Sequence, residues 1–337
     1  MENNKKPLII FAITLLAAMV LYAAFFYTSF GKSRFGAMQY VTHSTLLKHH
    51  RAGTIEGRKI VVTGSSETNF GINSKLMGEL TGLPTVSLGV IIYRRPEYLF
   101  DEVLQHVKRG DIVIVSMARV YYDMREGYLH EVNVRGRLAS GKDFFERSSL
   151  VDKLDFITQV PPRLLLERFI NPDDITALNP VDMTKELKGT PEYGAYDYRR
   201  MTPEMDVSTG DKLLPTFMEA IKEKGYMQPM PTVVTDYSVS IFEEFRSELE
   251  RRGVTLYLTH PPVVDGLEYD VESHKKLSEK MEGEGFEYLC KREDFVYDLE
   301  LFYDFPPHLN AEGARLRSEK LASCLLLKIG GFAAMDK

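Results

Sequence analysis

The order of apolar runs along this chain predicts an α/β fold: a three-layer sandwich around a central, mostly parallel sheet, with one N-terminal transmembrane helix and a large helical insertion. Three observations carry that expectation. Short β-branched runs alternate with helical periodicity in two blocks, near residues 58–116 and 238–327, as in parallel sheets covered on both faces. About 115 residues without that alternation separate the blocks, far more than a connection of typical length needs. Residues 7–31, PLIIFAITLLAAMVLYAAFFYTSFG, hold no charged side chain and exceed the ~20 residues that cross a hydrocarbon core.

The span comes first. Lys5 and Lys6 precede it, Lys32 and Arg34 follow, and Tyr22, Phe25, Phe26, Tyr27 and Phe30 crowd its far end, where an interfacial aromatic belt would sit. A cleaved signal peptide has a shorter apolar core and a small-x-small site after it. Neither is present, so residues 1–32 read as a cytoplasmic tail and an uncleaved transmembrane anchor. The flanking cations lie on both sides and do not orient it. A short tail ahead of a body of about 300 residues suits a signal-anchor whose domain lies on the extracytoplasmic side of the cell membrane; a body facing the cytoplasm is the alternative.

Residues 33–57, with Leu46 and Leu47 as their only paired aliphatics, read as a stalk or membrane-proximal helix. The folded domain runs from 58 to 337. Residues 59–63 (KIVVT), ended by Gly64, form a buried strand. Residues 73–80 form a short helix, capped by Asn73 or Ser74 and stopped by Gly82 and Pro84. A strand at 85–88, a helix at 97–107 and a strand at 111–116 (DIVIVS) follow. The insertion, at about 117–232, holds helical pieces such as 143–170 and then a Pro- and Asp-rich stretch, and reads as a cap over the functional edge of the sheet. Alternation resumes with a helix at 238–252, a strand at 254–258, a helix at 271–284 and a strand at 286–289. The last helix starts after Asn310, a good N-cap with Glu312 in the first turn, and turns Ala314, Leu321, Cys324 and Leu325 inward.

Composition limits the function. The chain has 337 residues, 44% of them apolar, and 42 basic against 48 acidic side chains mixed along its length. A net charge of −6 offers no continuous positive surface to phosphates, so a nucleic-acid partner is not expected. Without the span and the insertion a core of about 160 residues remains, which favours one large core over two of equal standing. Cys290 and Cys324 suit either one bridge in an oxidising compartment or two separate buried thiols.

Two segments carry candidate chemistry. Gly64-Ser65-Ser66-Glu67 follows the first strand. Ligands of open α/β sheets bind beyond the carboxyl ends of strands, and a glycine there permits the tight turn that an exposed hydroxyl needs, so Ser66 is the candidate nucleophile. Strand-to-helix turns also favour Gly and Ser for backbone reasons alone. The second segment, Tyr303-Asp304-Phe305-Pro306-Pro307-His308-Leu309-Asn310, offers a base and its orienting carboxylate in His308 and Asp304. A lone histidine is otherwise a satisfied surface or core residue, as His43, His49, His50, His106, His130, His260 and His274 are free to be; His308 differs by position. His260, just beyond the fourth strand in LTHPP, is either a substrate-binding residue or a turn residue before two prolines. Gly31-Lys32-Ser33 ends like a phosphate-binding loop, but Phe26 stands where its first glycine is required. No HExxH, paired CxxC or EF-hand spacing occurs, so neither a metal nor another cofactor is expected.

Together these two blocks resemble the SGNH or GDSL hydrolase superfamily, whose members carry a Gly-Asp-Ser-like block after the first strand and an Asp-x-x-His block before the last helix. Gly64-Ser65-Ser66 matches the first block with Ser65 in place of the aspartate. The chain looks most like the membrane-anchored branch, similar to proteins that modify teichoic acids with D-alanine and those that acetylate alginate. The likeness covers residues 59–119 and 231–327 and leaves the insertion outside. It implies an SGNH, flavodoxin-like sandwich with Ser66, His308 and Asp304 as catalytic residues. An oxyanion hole would come from the N–H groups of Ser66 and Gly89, the latter in the family's position after the second strand.

The sequence departs from that pattern twice. The family's Gly-x-Asn-Asp block after the third strand is Ser116-Met117-Ala118-Arg119 here, with no asparagine to serve the oxyanion. Arg119 is the candidate substitute, and one missing donor typically costs ~10²–10³ in rate. Asp304 and His308 also stand one residue further apart than in the family. Drawn out as a polyproline helix at ~3.1 Å per residue, the segment would hold them about 12 Å apart. Either the chain turns there, or Asp298 or Glu300 orients His308. The resemblance and the anchor imply an envelope-bound serine acyl-hydrolase or O-acyltransferase acting on a cell-surface polysaccharide or its acyl donor. Its partners would be the lipid bilayer, an integral-membrane acyl donor protein and a glycan polymer. A catalytically silent SGNH-like domain that binds glycan or an assembly partner is the alternative.

Overall fold

The computed structural model describes residues 5–30, 32–33, 36–90, 95–124, 131–139, 142–167, 173–174, 178–193, 196–210, 233–265, 271–304 and 307–333. Gly31, His130, Phe305, Pro306 and, within the expected insertion, residues 168–172, 175–177 and 211–232 lie outside them. The chain divides into two compact units, Met1–Thr42 with Leu129–Leu178 and His43–Tyr128 with Asn179–Lys337.

The larger unit is α/β, with four parallel strands at its centre: β1 (Ile60–Gly64), β2 (Thr85–Ser87), β3 (Ile112–Ser116) and β4 (Thr255–Thr259), in the spatial order β2-β1-β3-β4. All five residues of β1 and of β3 are buried. That is why these strands appear in the sequence as unbroken apolar runs rather than alternating ones. Alternate side chains enter two separate clusters. Ile60, Val62, Ile112 and Ile114 join Leu309, Leu321 and Leu325, while Val61, Val113 and Val115 join Phe100, Phe242 and Phe245. The amino ends of β1 and β3 are tied by a buried ion pair, Lys59 Nζ to Asp111 at 3.1 Å, and Asp111 also accepts from the Lys59 and Lys108 amides, both at 3.0 Å. At the other end Gly64 pairs with Ser116, and Ser116 with Thr259. The chain leaves β1 for β2 on one side and returns to β3 on the other, so the crevice past Gly64 and Ser116 is the point where strand order reverses.

The flanking helices start and stop where the local chemistry directs. Helix Ser74–Thr81 is capped by Asn73, whose side chain accepts from the Leu76 amide at 3.0 Å, and ends at Gly82 in the left-handed conformation (φ 70°). The C-terminal helix Ala311–Ala333 is capped by Asn310, which accepts from the Gly313 amide at 2.9 Å. Its inward stripe holds Ala314, Leu321 and Leu325, as the spacing predicts, and also Arg317 and Ser318. The stretch expected as a stalk or membrane-proximal helix is a helix, Gly36–Thr54, in which Leu47, Lys48 and Ala52 are buried.

The strand expected at 286–289 reduces to a single parallel bridge between Leu258 and Tyr288. The chain is held elsewhere on both sides of that bridge. The Phe286 amide donates to Met281, and Cys290 forms a disulfide with Cys324 of the C-terminal helix, so of the two cysteine alternatives the bridge is the one realised.

In the smaller unit one helix, Lys5–Tyr27, is long and apolar enough to cross a membrane. The aromatics at its far end do not all form an exposed belt. Phe26 and Phe30 are buried among Val134, Leu138, Phe145, Phe156, Leu164 and Leu165, because the helices at Glu131–Ala139 and Leu150–Gln159 supply an apolar face for them.

His106 follows helix Pro96–Leu104 and meets the ring of His49 edge-on at 4.7 Å. Burial first, and His49 beside it, lower its pKa to about 4, with Glu102 opposing. An unfolded chain titrates near 6.5 and takes up a proton that the folded chain refuses. Stability present above pH 6.5 is therefore lost as pH falls towards 4. His106→Gln is expected to flatten the decline of Tm over that range, read by circular dichroism on the detergent-solubilised protein; an unchanged slope would contradict it.

Candidate functional site

Gly64 ends β1 because nothing larger fits. A Cβ there would lie 1.7 Å from the Ser116 carbonyl oxygen and 2.3 Å from Thr68 Oγ1. The two serines that follow have different fates. Ser65 is buried, and both its amide and its hydroxyl donate to the carboxylate of Glu67. Ser66, partly open, begins the short helix Ser66–Asn69. Burial pushes the Glu67 carboxyl above its ordinary range, opposed by the bonds from Ser65 and by the charge of Arg317.

The turn beginning at Ser66 ends at Phe70, whose amide donates to the Ser66 carbonyl at 2.9 Å. Phe70 stacks on the ring of His308, centroids 4.4 Å apart and planes 21° apart, and Tyr303 stacks on Phe70 at 6.2 Å. His308 Nδ1 lies 2.7 Å from Asp304 Oδ1. The chain therefore turns rather than extending. The Tyr303 amide donates to the His308 carbonyl at 2.8 Å, and Phe302 bridges to Leu309, closing the segment on itself. Asp298 and Glu300, the other carboxylates weighed for this role, are exposed. Arg200, from the segment expected as an insertion, is buried and donates to the Tyr303 hydroxyl at 3.0 Å. Among the described residues no hydrogen bond joins Ser66 Oγ to His308.

Gly89 lies against the same turn. A Cβ on it would come within 2.6 Å of Thr68 and 2.8 Å of the Asn69 amide nitrogen. Lys48, fully buried, holds this approach: its Nζ donates to the Gly89 carbonyl at 2.5 Å and to Asn69 Oδ1 at 2.9 Å. Burial lowers the Lys48 pKa, and the charge of Asp206 opposes the shift. Asp206 is buried as well, and accepts from the Ser74 amide and hydroxyl at 2.6 and 2.7 Å. Arg119 stands just past β3, with a buried Nη1 that meets no acceptor among the described residues.

Arg317 joins these pieces from below. Its Nη1 donates to the Glu67 carbonyl at 2.8 Å, and its Nη2 to Ser116 Oγ at 2.8 Å and to the His260 carbonyl at 3.1 Å. His260 is thus part of the frame: its carbonyl receives Arg317, and its ring is buried against Tyr288 at 4.4 Å. A cavity of about 790 Å³ opens on that side, lined by His260, Tyr288, Lys291, Arg292, Lys328 and the disulfide; Ser66, Gly89, Arg119 and His308 are not on its wall. Cys290, Asp294 and Cys324 converge there, but both sulfurs are committed to the disulfide.

Sequence reasoning assigned no role to Lys48, Glu67, Phe70, Asp206 or Arg317. For Arg317 a signal existed: it falls three residues after Ala314 and four before Leu321, on the inward stripe of an otherwise amphipathic helix. For Lys48 none did, because a lysine in a polar stretch looks solvated.

Neither the protein-family models nor the curated proteins include a match to this chain.

Replacing Arg317 by Met keeps the helix and removes all three bonds, leaving two buried carbonyls without their donor. Hydrogen bonds to a charged group contribute ~1.5–3 kcal/mol each, and leaving a buried acceptor unmet costs a similar amount, so the loss should be about 3 kcal/mol or more. Guanidinium unfolding in detergent measures it. Arg317→Lys, with one nitrogen in place of a planar fork, should recover only part.

Proposed function

We propose that this chain is a membrane-anchored serine acyl-hydrolase or O-acyltransferase of the SGNH type. Its body would be a three-layer α/β sandwich with a helical insertion, held outside the cell membrane by the N-terminal helix. One observation carries the reading. Ser66 is partly open at the carboxyl end of β1, beside the β1–β3 crevice, on the same short turn whose Phe70 packs on the Asp304-held ring of His308.

With Nδ1–H donating to Asp304, His308 keeps the lone pair on Nε2 for the Ser66 proton. As Ser66 Oγ bonds to the carbonyl carbon of an ester or thioester, the carbonyl electron pair moves onto oxygen. The Ser66 and Gly89 N–H groups receive that charge. His308 then passes its proton to the departing alcohol or thiol. In the second half water, or a hydroxyl of a polymer, attacks the acyl-serine with His308 again taking the proton. The Ser66–His308 bond forms as substrate enters, since such contacts tighten in the Michaelis complex. Lys48 acts through position: its grip on the Gly89 carbonyl and on Asn69 keeps the two N–H groups at a fixed spacing. Arg119, with Nη1 unclaimed, takes the place of the family's asparagine or holds an anionic part of the substrate. Transfer is favoured over hydrolysis by location. A tether concentrates the site near a membrane-borne acyl donor and a nascent cell-surface polysaccharide.

A catalytically silent SGNH-like domain that binds glycan or an assembly partner is the second reading. The open Ser66–His308 contact and the missing asparagine after β3 favour it.

Reaction of the full chain, in detergent, with a fluorophosphonate or p-nitrophenyl acetate separates the two. The enzyme reading expects labelling at Ser66, none in Ser66→Ala, and labelling slowed on the order of 10²–10⁴ in His308→Ala. Ser65→Ala should still react, because the Ser65 hydroxyl already serves Glu67. Lys48→Met should slow labelling without altering the pH at which it is half-maximal. Full labelling of Ser66→Ala would overturn the assignment, and an unreactive parent chain would establish the silent domain.

A further inference from the structure

We propose that residues 143–167 form an interfacial platform, with Leu150, Val151, Leu154 and Leu166 inserted among the acyl chains of the leaflet where the N-terminal helix ends. The proposal rests on the reading of that helix as membrane-spanning.

Helix Leu150–Gln159 is capped by Ser149, whose Oγ accepts from the Asp152 amide at 3.2 Å. One side of it, Phe156 with Ile157 and Val160, packs into the small unit's core. A helix folded in water needs no second apolar face. This one has it: Leu150, Val151 and Leu154 are 72%, 75% and 55% exposed. At positions i, i+1 and i+4 they lie within about 100° of one another around the axis. Asp152, about 100° beyond Val151, is exposed on the polar strip between that face and Phe156. In the next helix, Pro162–Glu167, Leu164 and Leu165 are buried while Leu166 is 58% exposed. Single exposed apolar side chains need no explanation, but three leucines and a valine in one short segment mark a surface that something covers.

Continuity with the N-terminal helix identifies what covers it. Phe26 and Phe30, at that helix's end, pack on Phe145 at 5.5 and 5.2 Å and on Phe156 at 5.9 and 6.3 Å. At the same level Tyr27 bonds to Glu146 and receives Lys142 Nζ at 3.1 Å. The platform is therefore fastened where the apolar span gives way to hydrogen-bonding groups, the depth at which amphipathic helices lie in a bilayer. The span's own Met19, Val20 and Leu21 are as exposed as the platform leucines, so one apolar medium would cover both. Charges along 142–167 are mixed in sign, four basic side chains against five acidic. No positive excess draws the segment to anionic lipid, and apolar insertion is the driving term.

The chain has no tryptophan, so one introduced residue reports alone. Full-length Leu154→Trp, Val151→Trp, Asp152→Trp and Phe11→Trp proteins are reconstituted at low protein-to-lipid ratio in phosphatidylcholine vesicles, with and without brominated acyl chains. Phe11, in mid-span, should be quenched by the bromolipid. Trp at 154 and 151 should emit to the blue and lose most of its emission to bromolipid, while Trp at 152 should respond to aqueous iodide instead. With Phe11→Trp quenched, two results overturn the platform and leave the anchor standing. One is iodide access at 154; the other is protection at 154 from both quenchers, which would mean that protein covers the face. An unquenched Phe11→Trp would overturn the anchor reading, and the platform with it.

Discussion

One guanidinium, that of Arg317, sets the geometry on which the candidate site depends. It lies fully buried on the C-terminal helix and donates to the ends of three different segments: Glu67 after β1, Ser116 at the end of β3 and His260 after β4. Burial alone lowers its pKa, with Tyr297 and Glu67 opposing. A charge so placed is tolerated only where hydrogen bonds replace its lost water. The planar fork of Arg317 spreads these bonds over two nitrogens at fixed directions, whereas an ammonium would have to reach all three acceptors from one point. The requirement extends to Gly71, where a Cβ would lie 2.7 Å from Arg317 Nη1. The loops at the carboxyl edge therefore cannot move independently, and the turn that presents Ser66 is held from beneath.

A second buried cation holds that turn from the side. Lys48 joins Asn69 to the Gly89 carbonyl, with the charge of Asp206 opposing its neutralisation, and Asp206 in turn fixes the start of helix Ser74–Thr81 through Ser74. Burial shifts the two cations down and the two acids, Glu67 and Asp206, up, so each group is drawn towards its neutral form while its partner resists. Because opposite charges lie within one buried region, none of them is left to bear its desolvation alone. The turn that carries Ser66 thus stands on a substructure whose donors are committed to neighbouring carbonyls and side chains, which fixes its position.

The sheet was legible in the sequence because strands buried on both faces leave unbroken runs such as KIVVT and DIVIVS, and Ser66 was legible because it follows such a run through a glycine. Asp304 was only half legible. Its spacing from His308 is wrong for an extended chain, and what brings it to 2.7 Å is closure between Tyr303 and His308, a contact across a loop that local propensity does not encode. Lys48 was hidden for a related reason, since its partners lie 21 and 41 residues away. The aromatic cluster at the end of the first helix misleads in the other direction. Phe26 and Phe30 fit an interfacial belt by composition, yet they fill a core that Phe145 and Phe156 complete from distant sequence.

The departure at β3 has a physical counterpart under the proposed reading. Ser116 Oγ is already an acceptor for Arg317, Met117 is buried, and the next side chain past the strand with donors to offer is the half-buried Arg119. An asparagine there would offer a neutral amide; an arginine offers a permanent charge and several donors. A neutral donor helps an oxyanion only as it develops, whereas a cation also attracts anionic groups in the ground state. The exchange therefore moves part of the site's contribution from the transition state to binding. A substrate carrying a negative group near its reacting carbonyl would gain most from that change, and a neutral ester least.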